Sequence, residues 1–190
     1  MHVMAHTADN ERSGAPGELE LVRGFVNSYD AETGAEELSS PPALAGWLAS
    51  HGLGQAKAEL DEADLERAIE LREALREALL TNNDEPLPPT TVDRLNGALT
   101  GVSLGVRVNY DCTIDLEPAG AGLDPALARI ASIIREAMLS GEWSRLKVCP
   151  ADDCLWAFYD RSRNHSRTWC DMSDCGNRAK VKAFRERHSH

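Results

Sequence analysis

The chain of 190 residues has room for one ordinary domain and a small appended module. Hydrophobic residues make up 42%, enough for a core, and only 5% of residues are aromatic, so that core must consist mainly of Leu, Ala, Val and Ile. No run approaches the ~20 apolar residues of a membrane span, and residues 1–17 lack the pattern of a signal peptide. We therefore expect a flexible leader over residues 1–17 and a cytoplasmic protein that is not inserted in a membrane.

The net charge of −11 is unevenly distributed along the chain. Residues 1–142 carry 10 Lys and Arg against 25 Asp and Glu, whereas residues 143–190 carry 10 Lys and Arg against 6 Asp and Glu. A strongly acidic protein is a poor candidate for nucleic-acid binding, but this asymmetry indicates a separate basic module at the C-terminus.

Residues 18–142 show the patterns of one α+β domain with about five helices and a β-hairpin. The most clearly indicated helix runs from about Asp64 to Leu80, with its Glu and Arg side chains opposite the apolar face. Ser39 or Ser40, Thr90 or Thr91, and Asp124 are predicted helix caps, and Gly141 a helix stop. The apolar stripes are Val22, Phe25, Val26 and Tyr29; Leu44, Trp47, Leu48 and His51; Ala68, Leu71, Leu75 and Leu79; Val92, Leu95 and Leu99; and Leu127, Ile130, Ile134 and Ala137.

The hydrophobic period changes to two between residues 104 and 116. Leu104, Val106 and Val108 alternate with Gly105 and Arg107. Cys112, Ile114 and Leu116 alternate in the same way with Thr113 and Asp115. This pattern predicts a β-hairpin around the three-residue turn Asn109–Tyr110–Asp111. Because Cys112 alternates with Ile114, we expect it to be a core residue without a ligand role.

Four of the five cysteines lie in the last 42 residues, in the pattern Cys149-x4-Cys154 and Cys170-x4-Cys175. Each short loop can bring two sulfurs to about 3.5–4 Å, and two such loops complete a tetrahedral thiolate site. Two disulfides or a four-thiolate iron site are alternatives, but secretion is not indicated and the spacing favours Zn²⁺. With four Cys ligands the ion would be structural, because a catalytic zinc keeps an open position.

The segments beside the second cysteine pair are rich in hydrogen-bonding cations. Residues 161–167 contain three Arg, and residues 177–187 predict a basic helix with Val181, Phe184 and His188 on one face. Trp156 and Phe158 could stack on bases, but we expect them to form the core of the module. The residues predicted to contact phosphates are Arg161, Arg163, Asn164, Arg167, Asn177, Arg178, Lys180, Lys182 and Arg185.

The segment from Cys149 to Lys180 closely resembles the CGNR zinc finger, named for its Cys-Gly-Asn-Arg step, here Cys175 to Arg178. In that family an ABATE domain precedes the finger, and Phe25-Val26-Asn27-Ser28 resembles the opening of that domain. The resemblance implies a treble-clef-like finger over residues 143–190 that ends in a helix. It also implies Cys149, Cys154, Cys170 and Cys175 as zinc ligands and a role as a bacterial, stress-linked transcription regulator.

Two functions use the same basic residues. A regulator would bind DNA through the finger and sense a small ligand or a partner through the acidic helical domain. An adaptor would instead dock an acidic protein, such as a component of the transcription machinery. We expect no enzyme activity, because no nucleophile motif, phosphate loop or dinucleotide fingerprint occurs. Asn27, Tyr29 and Asp30 could line a pocket or be ordinary surface and cap residues, and the oligomeric state is not indicated.

Overall fold

The structure, a computed structural model, describes residues 14–54 and 59–188. The fold is α+β, as expected, and its strands form small antiparallel pairs beside the helices. The helices are α1 (Leu19–Val26), α2 (Pro41–Ser50), α3 (Glu62–Leu80), α4 (Pro89–Ala98), α5 (Asp124–Ser140) and α6 (Asn177–His188). The paired strands are β1 (Tyr29–Asp30) with β2 (Ala35–Glu36), β3 (Ser103–Val108) with β4 (Ile114–Ala119), and β5 (Leu146–Val148) with β6 (Ala157–Tyr159). Within the described ranges, no helix combines the length and apolarity that a membrane crossing requires.

The main core is built from the apolar stripes of α1, α2, α3 and α5. Phe25 and Leu127 are fully buried in it, and the predicted stripe of α3 from Ala68 to Leu79 is buried throughout. Three predicted stripe members differ: Tyr29 lies in β1, the exposed His51 caps the end of α2, and Val92 of α4 is 40% exposed. These helices cover one another, which explains how a chain with few aromatic residues still closes a core.

The helix caps match the sequence prediction in part. Ser40 caps α2 by accepting the Ala43 N–H, and Gly141 ends α5 with φ +80°, both as predicted. The prediction for α4 was wrong, because this helix begins at Pro89 and the buried Thr91 donates to Glu77 instead of capping. The predicted cap Asp124 is instead the first residue of α5. Its carboxylate is free to pair with an Arg of α3.

Two arginines of α3 lie inside the protein, contrary to the expectation that its Arg side chains face solvent. Arg72 and Arg76 are 3% and 4% exposed. Arg72 forms a two-pronged ion pair with Glu36 at 2.6 and 2.8 Å, and Arg76 donates to the backbone carbonyl of Tyr29 at 3.1 Å. Both guanidinium groups lie about 5.5 Å from the centre of the Tyr29 ring. They hold the β1–β2 turn against α3.

The long hairpin β3–β4 exists, but its turn and its burial differ from the prediction. Val108 pairs with Ile114, so residues 109–113 form a five-residue loop. Cys112 lies in that loop with φ +65° and is exposed, so the prediction that it is a core residue was wrong. The alternating apolar residues do share one face, yet Val106 is 69% exposed. Alternation identified a face of the hairpin, but α5 covers only part of it.

The short hairpin β5–β6 belongs to two cores at once. One face packs into the main core, and the other carries Phe158, which is buried among the four cysteines. The residues on the main-core face are Leu146, Val148, Ala157 and Tyr159. The helical domain and the cysteine-containing region are therefore joined through one pair of strands.

Residues 1–13 of the expected leader lie outside the described residues. The residues that follow are attached to the core: Ala15 is buried, and its N–H donates to the Glu20 carboxylate at 2.7 Å. The Gly14 carbonyl accepts a hydrogen bond from Arg161 at 2.8 Å.

Candidate metal centre and basic surface

The four C-terminal cysteines meet at one buried point. Their Sγ atoms all lie within 4.8 Å of one another, so the four cysteines together could hold a metal ion. Cys154 Sγ is 3.4 Å from Cys170 Sγ, which is 3.7 Å from Cys175 Sγ. All five cysteines of the chain are free thiols, so the disulfide alternative is not supported.

The arrangement fits a tetrahedral zinc ion. With Zn–S distances of about 2.3 Å, the sulfurs of such a site are about 3.8 Å apart, close to the separations found here. Cys149 follows β5, and Cys154 precedes β6. Cys170 precedes the π-helical turn Met172–Gly176, and Cys175 lies within that turn, just before α6. Two short loops thus supply two sulfurs each, and the four buried thiolates leave no open ligand position. Held in this way, a zinc ion would be structural.

Hydrogen bonds between the sulfurs shift the pKa values of the thiols in opposite directions. Thiol hydrogen bonds from Cys154 and Cys170 lower the pKa of Cys149 to about 2, with further help from the backbone N–H groups of Cys170 and Ala151. The pKa values of Cys154 and Cys170 are raised because these thiols donate to the neighbouring sulfurs and are buried. A divalent cation bound by the four sulfurs would displace the remaining thiol protons.

The Cys-Gly-Asn-Arg step has a separate structural role at each position. Cys175 brings a sulfur to the cluster, and the Met172 side chain occupies the space that a Cβ on Gly176 would need. The Asn177 amide donates to the Ser173 carbonyl at 2.8 Å, which closes the π-helical turn. Arg178 donates from Nη2 to Cys175 Sγ at 3.1 Å.

Arg178 links the sulfur cluster to two carboxylates. Its guanidinium lies 2.7 Å from Asp153 and 3.4 Å from Asp174, besides its bond to Cys175. The hydrogen bond to Cys175 and the nearby negative charges raise the pKa of Arg178 above its ordinary value. Four thiolates and a zinc ion would carry a net charge of −2, and this cation offsets part of it.

A buried ion pair supports the arginine-rich loop, and sequence reasoning missed it. The Lys147 ammonium, on β5, lies 3.2 Å from Asp160 and donates to the carbonyls of His165 and Arg167 at 2.7 and 3.1 Å. Burial alone would raise the pKa of Asp160, but hydrogen bonds from Ser162, Arg167 and Lys147 lower it. The only sequence signal was a Lys within a short apolar strand, which periodicity alone could not pair with Asp160.

The residues predicted to bind nucleic acid fall into two groups. Arg163, Asn164 and Lys180 are exposed and have no hydrogen bond or ion pair within the part of the chain that the structure describes. The others have partners within the protein: Arg161 with Gly14, Arg167 with Trp169 and Cys170, Asn177 with Ser173, Arg178 with Cys175, Lys182 with Asp152, and Arg185 with a further group. Nucleic-acid contact by either group stays a prediction.

Aromatic residues near the finger divide between core and surface. Phe158 is fully buried, and Trp156 packs against the sulfur cluster, as expected for core residues of the module. Phe184 on α6 is 56% exposed and stacks on His188 with ring centres 4.1 Å apart. Val181 beside it is also exposed. The terminal helix therefore presents a narrow apolar edge among basic side chains.

Asn27, Tyr29 and Asp30 do not form a shared pocket. Asn27 is buried against β6, and Tyr29 stacks with the two buried arginines of α3. The Asp30 carboxylate accepts the N–H groups of Glu32 and Thr33 within its own turn. Each of the three side chains thus has a structural role.

Comparisons with known proteins cover most of the chain. Residues 19–138 match the model of the ABATE family, whose description is "Putative stress-induced transcription regulator". Residues 145–188 match the CGNR zinc finger. No curated protein matches the chain. The two matches confirm the order of domains that the cysteine motif and the Phe25-Val26-Asn27-Ser28 segment had indicated.

Proposed function

Since this chain belongs to the ABATE family and ends in a CGNR zinc finger, we propose that it is a transcription regulator that binds DNA through the finger. In this proposal the zinc ion is structural and the helical domain senses a small ligand or a partner. The sulfur cluster supports this proposal, because the four buried cysteines lie between the arginine-rich loop and α6 and so connect the two basic segments. No step of this function is catalytic.

The observation that carries the proposal is the free basic face of α6. Lys180 and Arg187 are exposed, have no ion pair in the described chain, and lie seven residues apart, so they share one helix face. Their positions are about 10.5 Å apart along the helix axis. Arg163, on the loop that follows β6, is a third exposed cation without an ion pair among the residues that the structure describes. Exposed, unpaired cations of this kind are the groups that neutralise DNA phosphates.

The test is the salt dependence of binding to a random duplex, measured by fluorescence anisotropy with zinc-loaded protein. We expect log affinity to fall linearly with log salt, with a slope of about −0.9 for each phosphate contact. Lys180→Ala and Arg187→Ala should each reduce the magnitude of that slope by about 1. Arg107→Ala, on the hairpin of the helical domain, is the matched control. Absence of binding at low salt, or a slope unchanged by the α6 variants, would contradict DNA binding.

The apolar edge of α6 favours a second candidate, a zinc-dependent adaptor that docks an acidic protein. DNA phosphates offer nothing to cover Phe184 and Val181, whereas a protein surface with acidic and apolar side chains would cover both. Under this alternative, Phe184→Ser should abolish capture of the partner, and nuclease treatment should leave capture unchanged. Under the DNA-binding proposal, Phe184→Ser should change duplex affinity little.

A further inference from the structure

An apolar groove of about 380 Å³ lies in the helical domain. Its walls are α4 and α5, and its floor is the buried stripe of α3. This volume lies in the range of small-molecule sites, ~300–1,000 Å³. The apolar side chains on its walls and floor include Leu71, Leu75, Leu95, Leu99, Ile130 and Ile134.

The groove exists because α4 is attached to α3 by polar contacts. Thr91 donates to Glu77 at 2.7 Å, and Arg94 donates to Glu77 at 2.6 Å and also pairs with Glu70. Arg67 reaches back from α3 to the Ala98 carbonyl at 2.6 Å. These contacts hold α4 on one side of α3, so the apolar stripe of α4 does not reach α5.

Apolar side chains on both walls consequently remain partly exposed. Leu95 and Leu99 of α4 are half-buried, as is Ile134 on the opposite wall. Leu87 and Met138 are exposed at the mouth, at 41% and 55%. A ligand that removed this apolar surface from water would gain the hydrophobic free energy that α4 and α5 leave unused.

The charge at the rim indicates what kind of ligand would fit. Residues 1–142 carry 25 acidic residues, yet none of the residues that line the groove is acidic. Arg135 of α5 lies at the rim, is exposed, and has no ion pair or hydrogen bond within the described ranges. In a strongly acidic domain, an apolar groove whose lining contains an unpaired Arg and no carboxylate favours an anionic ligand.

We propose that this groove binds a small apolar carboxylate, with its hydrocarbon body between α4 and α5 and its carboxylate at Arg135. At roughly 30 Å³ for each water-sized atom, the groove accommodates about a dozen non-hydrogen atoms. The inference rests on the proposed function, since it names the class of ligand that the helical domain senses. The binding test contains no DNA, so its failure is distinct from failure of the DNA-binding proposal.

The experiment is calorimetric titration of the full zinc-loaded chain with decanoate below its micellar concentration. We expect one saturable site per chain, and decanol should bind more weakly than decanoate. Arg135→Gln should weaken decanoate binding by about two- to fivefold, as expected for an exposed ion pair, and should make decanoate and decanol equivalent. Ala131→Phe places a large side chain in the groove and should weaken binding at least about tenfold.

Two controls locate the binding site. Circular dichroism melting identifies any variant that fails to fold, and Arg135→Gln changes an exposed residue, so it remains informative if Ala131→Phe does not fold. Val108→Asn removes an apolar side chain from the exposed face of β3–β4 and should leave decanoate binding unchanged. Absence of saturable binding, equal affinity for decanoate and decanol in the wild type, or sensitivity to Val108→Asn overturns the proposal. Self-association lost in Ala131→Phe, without decanoate binding, would assign the groove to a chain–chain interface and also overturn it.

Discussion

The side chain of Asn27 hydrogen-bonds both backbone groups of Ala157, which lies 130 residues further along the chain. Asn27 Nδ2 donates to the Ala157 carbonyl at 2.9 Å, and its Oδ1 accepts the Ala157 N–H at 2.8 Å. Asn27 follows α1, and Ala157 begins β6 beside the sulfur cluster. The amide thus provides hydrogen-bond partners for the backbone N–H and C=O groups at the outer edge of the β5–β6 hairpin, and it connects the finger to the helical domain.

Asn27→Asp should destabilise the whole chain. The carboxylate would still accept the Ala157 N–H, but it would face the Ala157 carbonyl without a proton to donate. We expect a loss of about 2 kcal/mol in the free energy of unfolding, because a buried acceptor loses its donor. Urea unfolding followed by tryptophan fluorescence measures it. Asn164→Asp, at an exposed position, is the control, and an equal effect of the two changes would contradict the role of Asn27.

Zinc content should depend on the four clustered cysteines and not on the fifth. Cys154→Ser replaces a thiolate ligand with a poor one, so we expect purified protein to lose most of its zinc, measured by mass spectrometry of the metal. Cys112→Ser changes the exposed thiol of the hairpin loop and should leave one zinc per chain. Retention of zinc by the Cys154 variant would exclude this cluster as the metal site.

Metal removal should also lower the stability of the helical domain without unfolding it. The β5–β6 hairpin contributes one face to the main core, so loss of order around the cysteines weakens that core. We expect a chelator to lower the thermal midpoint of the helical signal by several degrees, roughly what 1–2 kcal/mol produces in a domain of this size. An unchanged midpoint would show that the two units unfold independently.

Arg178→Ala should weaken zinc binding even though Arg178 is not a ligand. Its guanidinium neutralises the Cys175 thiolate and joins the Asp153 loop to α6. Loss of such a supporting partner lowers metal affinity by about 10–100-fold, measured by competition with a chromogenic chelator. Lys180→Ala removes a cation from the same helix without touching a sulfur, so its zinc affinity should match that of the wild type. If both variants behave alike, the effect is one of net charge only.

The Glu36–Arg72 ion pair should make the helical domain less stable at acidic pH. Burial alone would raise the pKa of Glu36, but hydrogen bonds and charge from Arg72 lower it below 4.5. Because the folded pKa is depressed, the stabilisation is present above the unfolded pKa and is lost as pH falls through the folded pKa. Glu36→Gln should therefore cost about 2 kcal/mol at neutral pH, and the difference from wild type should shrink below about pH 4.5.

The control for this pH dependence is Glu37→Gln, which changes an exposed carboxylate one residue away. Its unfolding free energy should follow that of the wild type at every pH. Urea midpoints measured from pH 3 to 7, a range of about four units around the ordinary carboxyl pKa, provide the comparison. A Glu36 variant that stays parallel to wild type over this range would contradict the assignment.

Much of the helical domain could be read from local patterns. The α3 stripe, the Ser40 cap and the Gly141 stop depend only on residues within a few turns of one another, so spacing and residue type were enough. The cysteine spacing indicated the metal centre for the same reason. Patterns failed where the partner is distant: the burial of Arg72 depends on Glu36, and the exposure of Cys112 depends on a loop length set by strand register.

The sequence by itself determined the main helices, the β3–β4 hairpin, the paired cysteines and the acidic-to-basic division of the chain, because each is a matter of composition or short-range spacing. Only the tertiary structure decided which basic side chains are free, since Arg178 and Lys180 look alike in sequence and differ only in what folds against them. It also decided that β5–β6 serves two cores and that α4 and α5 leave an apolar groove between them. These features depend on contacts between residues far apart in the chain, which no local pattern encodes.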